Sequence, residues 1–181
     1  IFLLAIFLLM QCTSKETTMY TPVPYNLEIP TLFANKLIAP IIPANNPLTE
    51  EGVALGKKLF FDPILSADNT LACAGCHGAP NAFSDNTRFS DGVDGIFGRR
   101  NSMPLFNLAW NYDNRFFWDG REAGLENQAF EPVTNPVEMH TTWEAVTEKL
   151  QQHADYPELF NAAFGTAEID SVLVSKAIAQ F

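Results

Sequence analysis

The chain has little cysteine and little histidine, three of each among 181 residues. It is also poor in basic side chains, with 11 Lys and Arg against 21 Asp and Glu, a formal net charge of -10 at pH 7. That deficit excludes a nucleic-acid binder, which neutralises phosphates with clustered Lys and Arg. An acidic surface suits a basic protein partner instead, such as a small cationic electron carrier. Long apolar runs are missing too. The run at residues 1–10, "IFLLAIFLLM", is half the roughly 20 helical residues that a bilayer requires. No window alternates convincingly at period two, so strands are not expected as principal elements. With 47% hydrophobic and 18% charged residues, the composition is that of a globular protein rather than a disordered one.

The apolar run suits the h-region of an export signal. Neither Met nor a basic n-region precedes it, so residues 1–12 are expected to be such a signal, truncated at its start. Cys12 follows directly, as in a lipoprotein signal whose Cys carries the lipid anchor. "LMQC" departs from the small residues usual before that Cys, and plain cleavage further along is the alternative. Both readings export the chain, to the periplasm or cell envelope. Residues 13–47 read as a Pro-rich linker, because Pro22, Pro24, Pro30, Pro40, Pro43 and Pro47 leave no room for a helix. Residues 48–181 read as one domain.

Within that domain the punctuation is helical. Thr49 is a good N-cap followed by Glu50 and Glu51, and Asp62-Pro63 stops the helix that it opens. A short helix carrying Cys73 and Cys76 comes next. From Gly78 to Gly124 the chain is rich in Gly, Asn and Asp, the composition of long ordered loops. Loops of that length in a compact domain serve function or wrap a ligand. "TTWE" places Thr141 and Glu144 at capping-box spacing, opening a helix to about Gln152. Pro157 and Gly165 bracket another, and Asp170 starts a last one that is still running at Phe181. The expected fold is all-α with long loops.

The scarce residues are concentrated. "TLACAGCHGAP" puts Cys73, Cys76 and His77 within five positions. The pair is too close in sequence to staple a fold and belongs to redox or haem chemistry. On a helix, residues three apart share a face, so both sulfurs reach the vinyls of one haem. His77 then projects to the iron as the proximal ligand. A zinc site needs two more ligands, and His140 and His153 are wrongly spaced to supply them. A thioredoxin-like pair needs a βαβ context that is missing. C-x-x-C-H therefore reads as covalent attachment of haem c.

Further stretches carry a resemblance. "NPLTEEGVALGKKLFFDPILSADNTLACAGCH", "GRRNSMPLFNLAW", "FFWDGR" and "LENQAFEPVTNPVEM" together resemble the N-terminal, peroxidatic domain of bacterial di-haem cytochrome c peroxidases. The wider family includes the di-haem enzyme that matures the tryptophan cofactor of methylamine dehydrogenase. The resemblance covers about residues 20–181 and implies a cytochrome c-like haem domain. It also implies a second haem in a C-terminal domain absent from this sequence, and a homodimer as one assembly state.

Roles follow position by position. Glu138 in "NPVEM" matches the distal acid-base, and Gln128 in "ENQA" the polar residue beside it. Trp118 in "FFWDGR" matches the tryptophan between the two haems, with core packing beside Phe116 and Phe117 as its other reading. Asn101 in "RRN" matches a ligand of the calcium at the domain interface. Asp119 and Arg121 read as a structural pair, and Arg99 and Arg100 as partners for haem propionates. "DGVDG" lacks the alternating spacing of a calcium loop.

One departure stands out. Many family members cap the peroxidatic iron with a His in the loop after the haem motif, whereas residues 78–139 contain none. Met103 and Met139 are the only soft side chains in that stretch. The expected function is haem-dependent reduction of hydrogen peroxide with electrons from a small donor protein of cytochrome c or cupredoxin type. The alternatives are a mono-haem electron-transfer cytochrome, with Met103 or Met139 as sixth ligand, and a di-haem oxidase acting on a protein or organic substrate.

Overall fold

A computed structural model describes residues 20–181. The expectations for residues 1–12, Cys12 included, lie outside the described residues. The described part of the Pro-rich segment, residues 20–47, lies against the loops of the domain at Ile38 and Ile41. Ile41 donates its N–H to the Ala109 carbonyl at 2.7 Å, and the Tyr112 hydroxyl donates to the Ile38 carbonyl at 2.6 Å. It includes one helical turn, α1 (Thr31–Ala34), where the proline count had left no room for a helix. Pro30 occupies the N-cap of that turn, ahead of the positions whose N–H groups a helix needs, so it starts the turn rather than breaking it.

Helix α2 (Glu50–Phe61) begins where the Thr49 hydroxyl accepts the Gly52 N–H, and it ends at Asp62. The single turn α3 (Cys73–Cys76) follows. The loops from Gly78 to Gly124 hold only 3-10 turns and one antiparallel pair, β1 (Arg115–Phe116) with β2 (Glu122–Ala123). These two-residue strands are too short to show a period in sequence. The protein is otherwise helical: α4 (Leu125–Thr134), α5 (Trp143–Gln152), α6 (Tyr156–Phe164) and α7 (Ser171–Gln180) complete it. The cap of α5 is Thr142, whose hydroxyl accepts the Ala145 N–H at 3.2 Å. Thr141 was the expected cap. Its own N–H is bonded to the Val133 carbonyl, which ties it to α4 and leaves the neighbouring hydroxyl to cap.

Helices α2, α5, α6 and α7 surround a core that includes Leu59, Val146, Leu150, Phe160 and Val174, none of them measurably exposed. Tyr156 is buried among them and donates its hydroxyl to Asp62 Oδ2 at 2.6 Å. At one end Gln180 binds α7 to the start of α2. Its Oε1 accepts the Thr49 N–H at 3.0 Å, and its Nε2 donates to Asn46 Oδ1 at 2.9 Å. Asn46 in turn donates to Glu126 Oε1 on α4 at 2.9 Å.

Gly56 sets how closely α2 and α7 approach, since a Cβ there would collide with the Ala177 carbonyl oxygen. Helix propensity alone favours Ala over Gly by about 1 kcal/mol, but overpacking against fixed backbone costs about 1–3 kcal/mol. The clash wins. Gly56→Ala is expected to destabilise the chain, read as a lower urea midpoint with an unchanged m-value. A midpoint at or above that of the parent would refute the close-approach argument.

Candidate haem site

A cleft of about 430 Å³ opens beside α3, within the size range of small-molecule and cofactor sites. Phe60, Leu65, Leu71, Val133 and Ile178 give it apolar walls. Cys73, Cys76 and His77 line it, and so do Asn101, Trp118, Gln128 and Glu138. These seven residues thus meet at one place, although they come from a helical turn, two loops, α4 and the turn after it.

The α3 side supplies the donors. Cys73 and Cys76 are free thiols, and burial pushes both up, to about 12 for Cys73 and about 11 for Cys76. They are therefore neutral thiols at physiological pH rather than reactive thiolates. His77 follows as the C-cap of the turn. Its Nδ1 lies 3.0 Å from the Phe83 carbonyl and 3.0 Å from the Met103 carbonyl. Two acceptors at Nδ1 fix the proton there and leave the Nε2 lone pair for a metal. Burial lowers the His77 pKa, which favours the neutral, ligating form. The Met103 peptide thereby belongs to the wall that holds His77. Met139, the other soft side chain, is a buried core residue that also lines the cleft.

The supporting loop is held by Asp85. Its Oδ2 accepts the Ser90 hydroxyl at 2.6 Å and the Ser102 N–H at 3.3 Å, and Ser102 directly precedes Met103.

Glu138 comes from the turn after α4, and its backbone is clamped by remote segments. Val93 N–H donates to the Glu138 carbonyl at 2.9 Å, and Ala67 N–H donates to the Met139 carbonyl at 2.9 Å. Gly92 makes this approach feasible, because a Cβ there would strike the Val137 carbonyl. Burial raises the Glu138 pKa; a hydrogen bond from Asn135 and the charge of Arg121 oppose the rise, and Glu131 adds to it. Asn135 Nδ2 donates to Glu138 Oε1 at 2.6 Å. Gln128 is buried on α4 and lines the same cleft.

Trp118 is 56% exposed, so the core-packing reading does not hold. It lies at the solvent-facing rim, where its indole donates to the Asn101 carbonyl at 3.0 Å. Phe116 takes the buried position instead. The Asp119–Arg121 pairing is present, with N···O at 3.1 Å. Arg121 also bonds Glu131 at 2.6 Å and lies 3.6 Å over the Phe117 ring. Arg99 and Arg100 line the cleft.

The donor set fits a covalently attached haem: paired neutral thiols, one imidazole with a free Nε2, and apolar walls. Among the described residues no three His, Cys, Asp or Glu side chains cluster in an arrangement that could hold a metal ion. Sequence reasoning missed Asn135, Asp85 and the two carbonyls that orient His77. Asn135 stood inside the quoted "NPVEM", and the Asn-Pro pair closing a helix is a turn signal that could have drawn attention to it.

Residues 50–181 match the family model of di-haem cytochrome c peroxidases. The chain is 43% identical over 140 residues to methylamine utilization protein MauG of Methylorubrum extorquens, covering 77% of this chain and 39% of that protein. It is 41% identical over 121 residues to cytochrome c551 peroxidase of Pseudomonas aeruginosa, covering 67% and 34%. A crystal structure of a MauG-like protein associated with microbial copper homeostasis superposes with a TM-score of 0.77 at 29% identity, covering 87% of this chain and 45% of that one. The chain thus spans about two-fifths of the length of the curated relatives it matches. The fold, the C-x-x-C-H turn and these matches agree: the chain belongs to the di-haem cytochrome c peroxidase family.

Proposed function

We propose that this chain is the peroxidatic haem domain of an exported enzyme of the periplasm or cell envelope that reduces hydrogen peroxide. The observation that carries the reading is the meeting of His77, Glu138 and Gln128 in one apolar cleft. Cys73 and Cys76 would hold the haem through thioethers, and His77 Nε2 would hold its iron. Haem bound there would supply the redox centre that delivers electrons to peroxide. Glu138 takes a proton from one peroxide oxygen and returns it to the other, as base and then acid. Gln128 orients the peroxide by hydrogen bonding. Trp118 at the rim would pass electrons inward, drawn in the end from a small donor protein of cytochrome c or cupredoxin type, and a second haem beyond these residues would supply the intermediate redox centre. A calcium ion at Asn101 would draw on amide and carbonyl oxygens. Lipid attachment at Cys12 and a homodimer complete the proposed assembly.

The 43% identity to MauG favours a second reading, a di-haem oxidase acting on a protein or organic substrate through the same cleft. The mono-haem electron-transfer reading is less well supported. Met103 bonds His77 through its backbone carbonyl, and Met139, which lines the cleft, is a buried residue of the core.

Cys73→Ser with Cys76→Ser is expected to abolish haem staining that survives denaturation, in an export-competent host. Stain retained by the double variant would remove the attachment assignment.

Glu138→Gln in the complete enzyme should keep the haem spectrum and lower peroxide turnover at least ~100-fold. Because burial raises the Glu138 pKa, the base is protonated at low pH. Activity should rise with pH along an acidic limb lying above the ordinary Glu value of about 4.3, and that limb should vanish in Glu138→Gln. Near-normal turnover in the variant would return Glu138 to a structural role.

The oxidised haem of this domain should be high-spin and bind cyanide or azide without prior reduction, as read by absorption and EPR. A purely low-spin His/Met spectrum would favour the electron-transfer cytochrome.

A further inference from the structure

We infer that Asn135 is a positioning residue, which aims one oxygen of Glu138 into the cleft by holding the other. The inference rests on the reading of Glu138 as the proton-transferring group.

Asn135 is the C-cap of α4, and both ends of its carboxamide are used. Oδ1 accepts the Val137 N–H at 3.2 Å, an Asx-type turn that folds the chain back. Nδ2 donates to Glu138 Oε1 at 2.6 Å. The Asn135 backbone carbonyl accepts the N–H groups of Glu138 and His140, each at 3.0 Å. One residue thus shapes the turn and grips the carboxylate that the turn carries.

The grip is selective. Arg121 is engaged elsewhere, by Asp119, Glu131 and the Phe117 ring. Asn135 is the donor found on the Glu138 carboxylate, and it takes Oε1. A half-buried carboxylate with one oxygen held by a charge-assisted bond loses rotamer freedom. Oε2 is left for the proton. Proton transfer depends on such placement, and misplacement by about 1 Å can reduce rate 100-fold.

The test separates the grip from the turn. Asn135→Thr and Asn135→Ser each keep an oxygen that can accept the Val137 N–H. Neither can donate to Oε1, because the hydroxyl of each is too short to reach. In the complete haem-loaded enzyme both variants should keep the haem spectrum and KM. Both should lose roughly 10- to 100-fold in kcat, the range for removing a charge-assisted hydrogen bond. The association rate of cyanide with the ferric protein should fall similarly, because HCN must surrender its proton to the same base. Combined with Glu138→Gln, neither substitution should reduce either rate further. Wild-type rates in both single variants, or losses that multiply with Glu138→Gln, would overturn the positioning role. If Glu138→Gln itself leaves both rates intact, the proposed function fails rather than this inference alone.

Discussion

Burial in one largely apolar cleft governs the protonation of the groups that line it. Burial disfavours charge, and each of these groups shifts toward its neutral form. Burial keeps the thiols of Cys73 and Cys76 protonated, favours the neutral form of His77, and raises the Glu138 carboxyl above its ordinary value. None of these states follows from residue identity alone. An exposed His77 would be half protonated near pH 6.5 and an exposed Glu138 fully ionised at neutral pH. The walls built by Phe60, Leu65 and Val133 therefore contribute to reactivity, although none carries a functional group.

Burial alone would leave the groups badly aimed, and backbone hydrogen bonds supply the aim. His77 is oriented by two carbonyls from the loop region, whereas the peptides of Glu138 and Met139 are held by Val93 and Ala67. The helical core of α2, α5, α6 and α7 stands behind these loops as a fixed frame. Gln180, Thr49 and Asn46 close that frame at one end. Helices thus carry stability, and long irregular segments carry the placement of chemistry.

Much of this was legible in the sequence. Thr49 and Asp62-Pro63 bound α2 as read, and the cysteines sit on a short helical turn as expected, because caps and short motifs act over a few residues. The α5 cap was missed by one residue, since the choice between adjacent threonines depends on a bond from Thr141 to α4. Trp118 was ambiguous for a related reason: "RFFW" offers three aromatics, and only the β1–β2 turn decides that Phe116 goes inward. The anchors of His77 left no trace in sequence, because carbonyls belong to every residue. Asn135 was visible as a turn former, but its second partner depends on the path of the turn itself.

The long loops of residues 78–124, which supply one wall of the cleft, have an unusual backbone. Ala82 (φ 56°), Phe83 (φ 55°), Asp94 (φ 61°) and Phe117 (φ 64°) all occupy the left-handed region, at a cost of about 1 kcal/mol or more each. Across residues 78–124 only Val93, Ser102 and Phe116 are buried. This wall therefore has little core of its own and opens more readily than the helices behind it. A prosthetic group seated in the cleft would give this wall the apolar contacts that it lacks by itself, and so would stabilise the wall more than the helices.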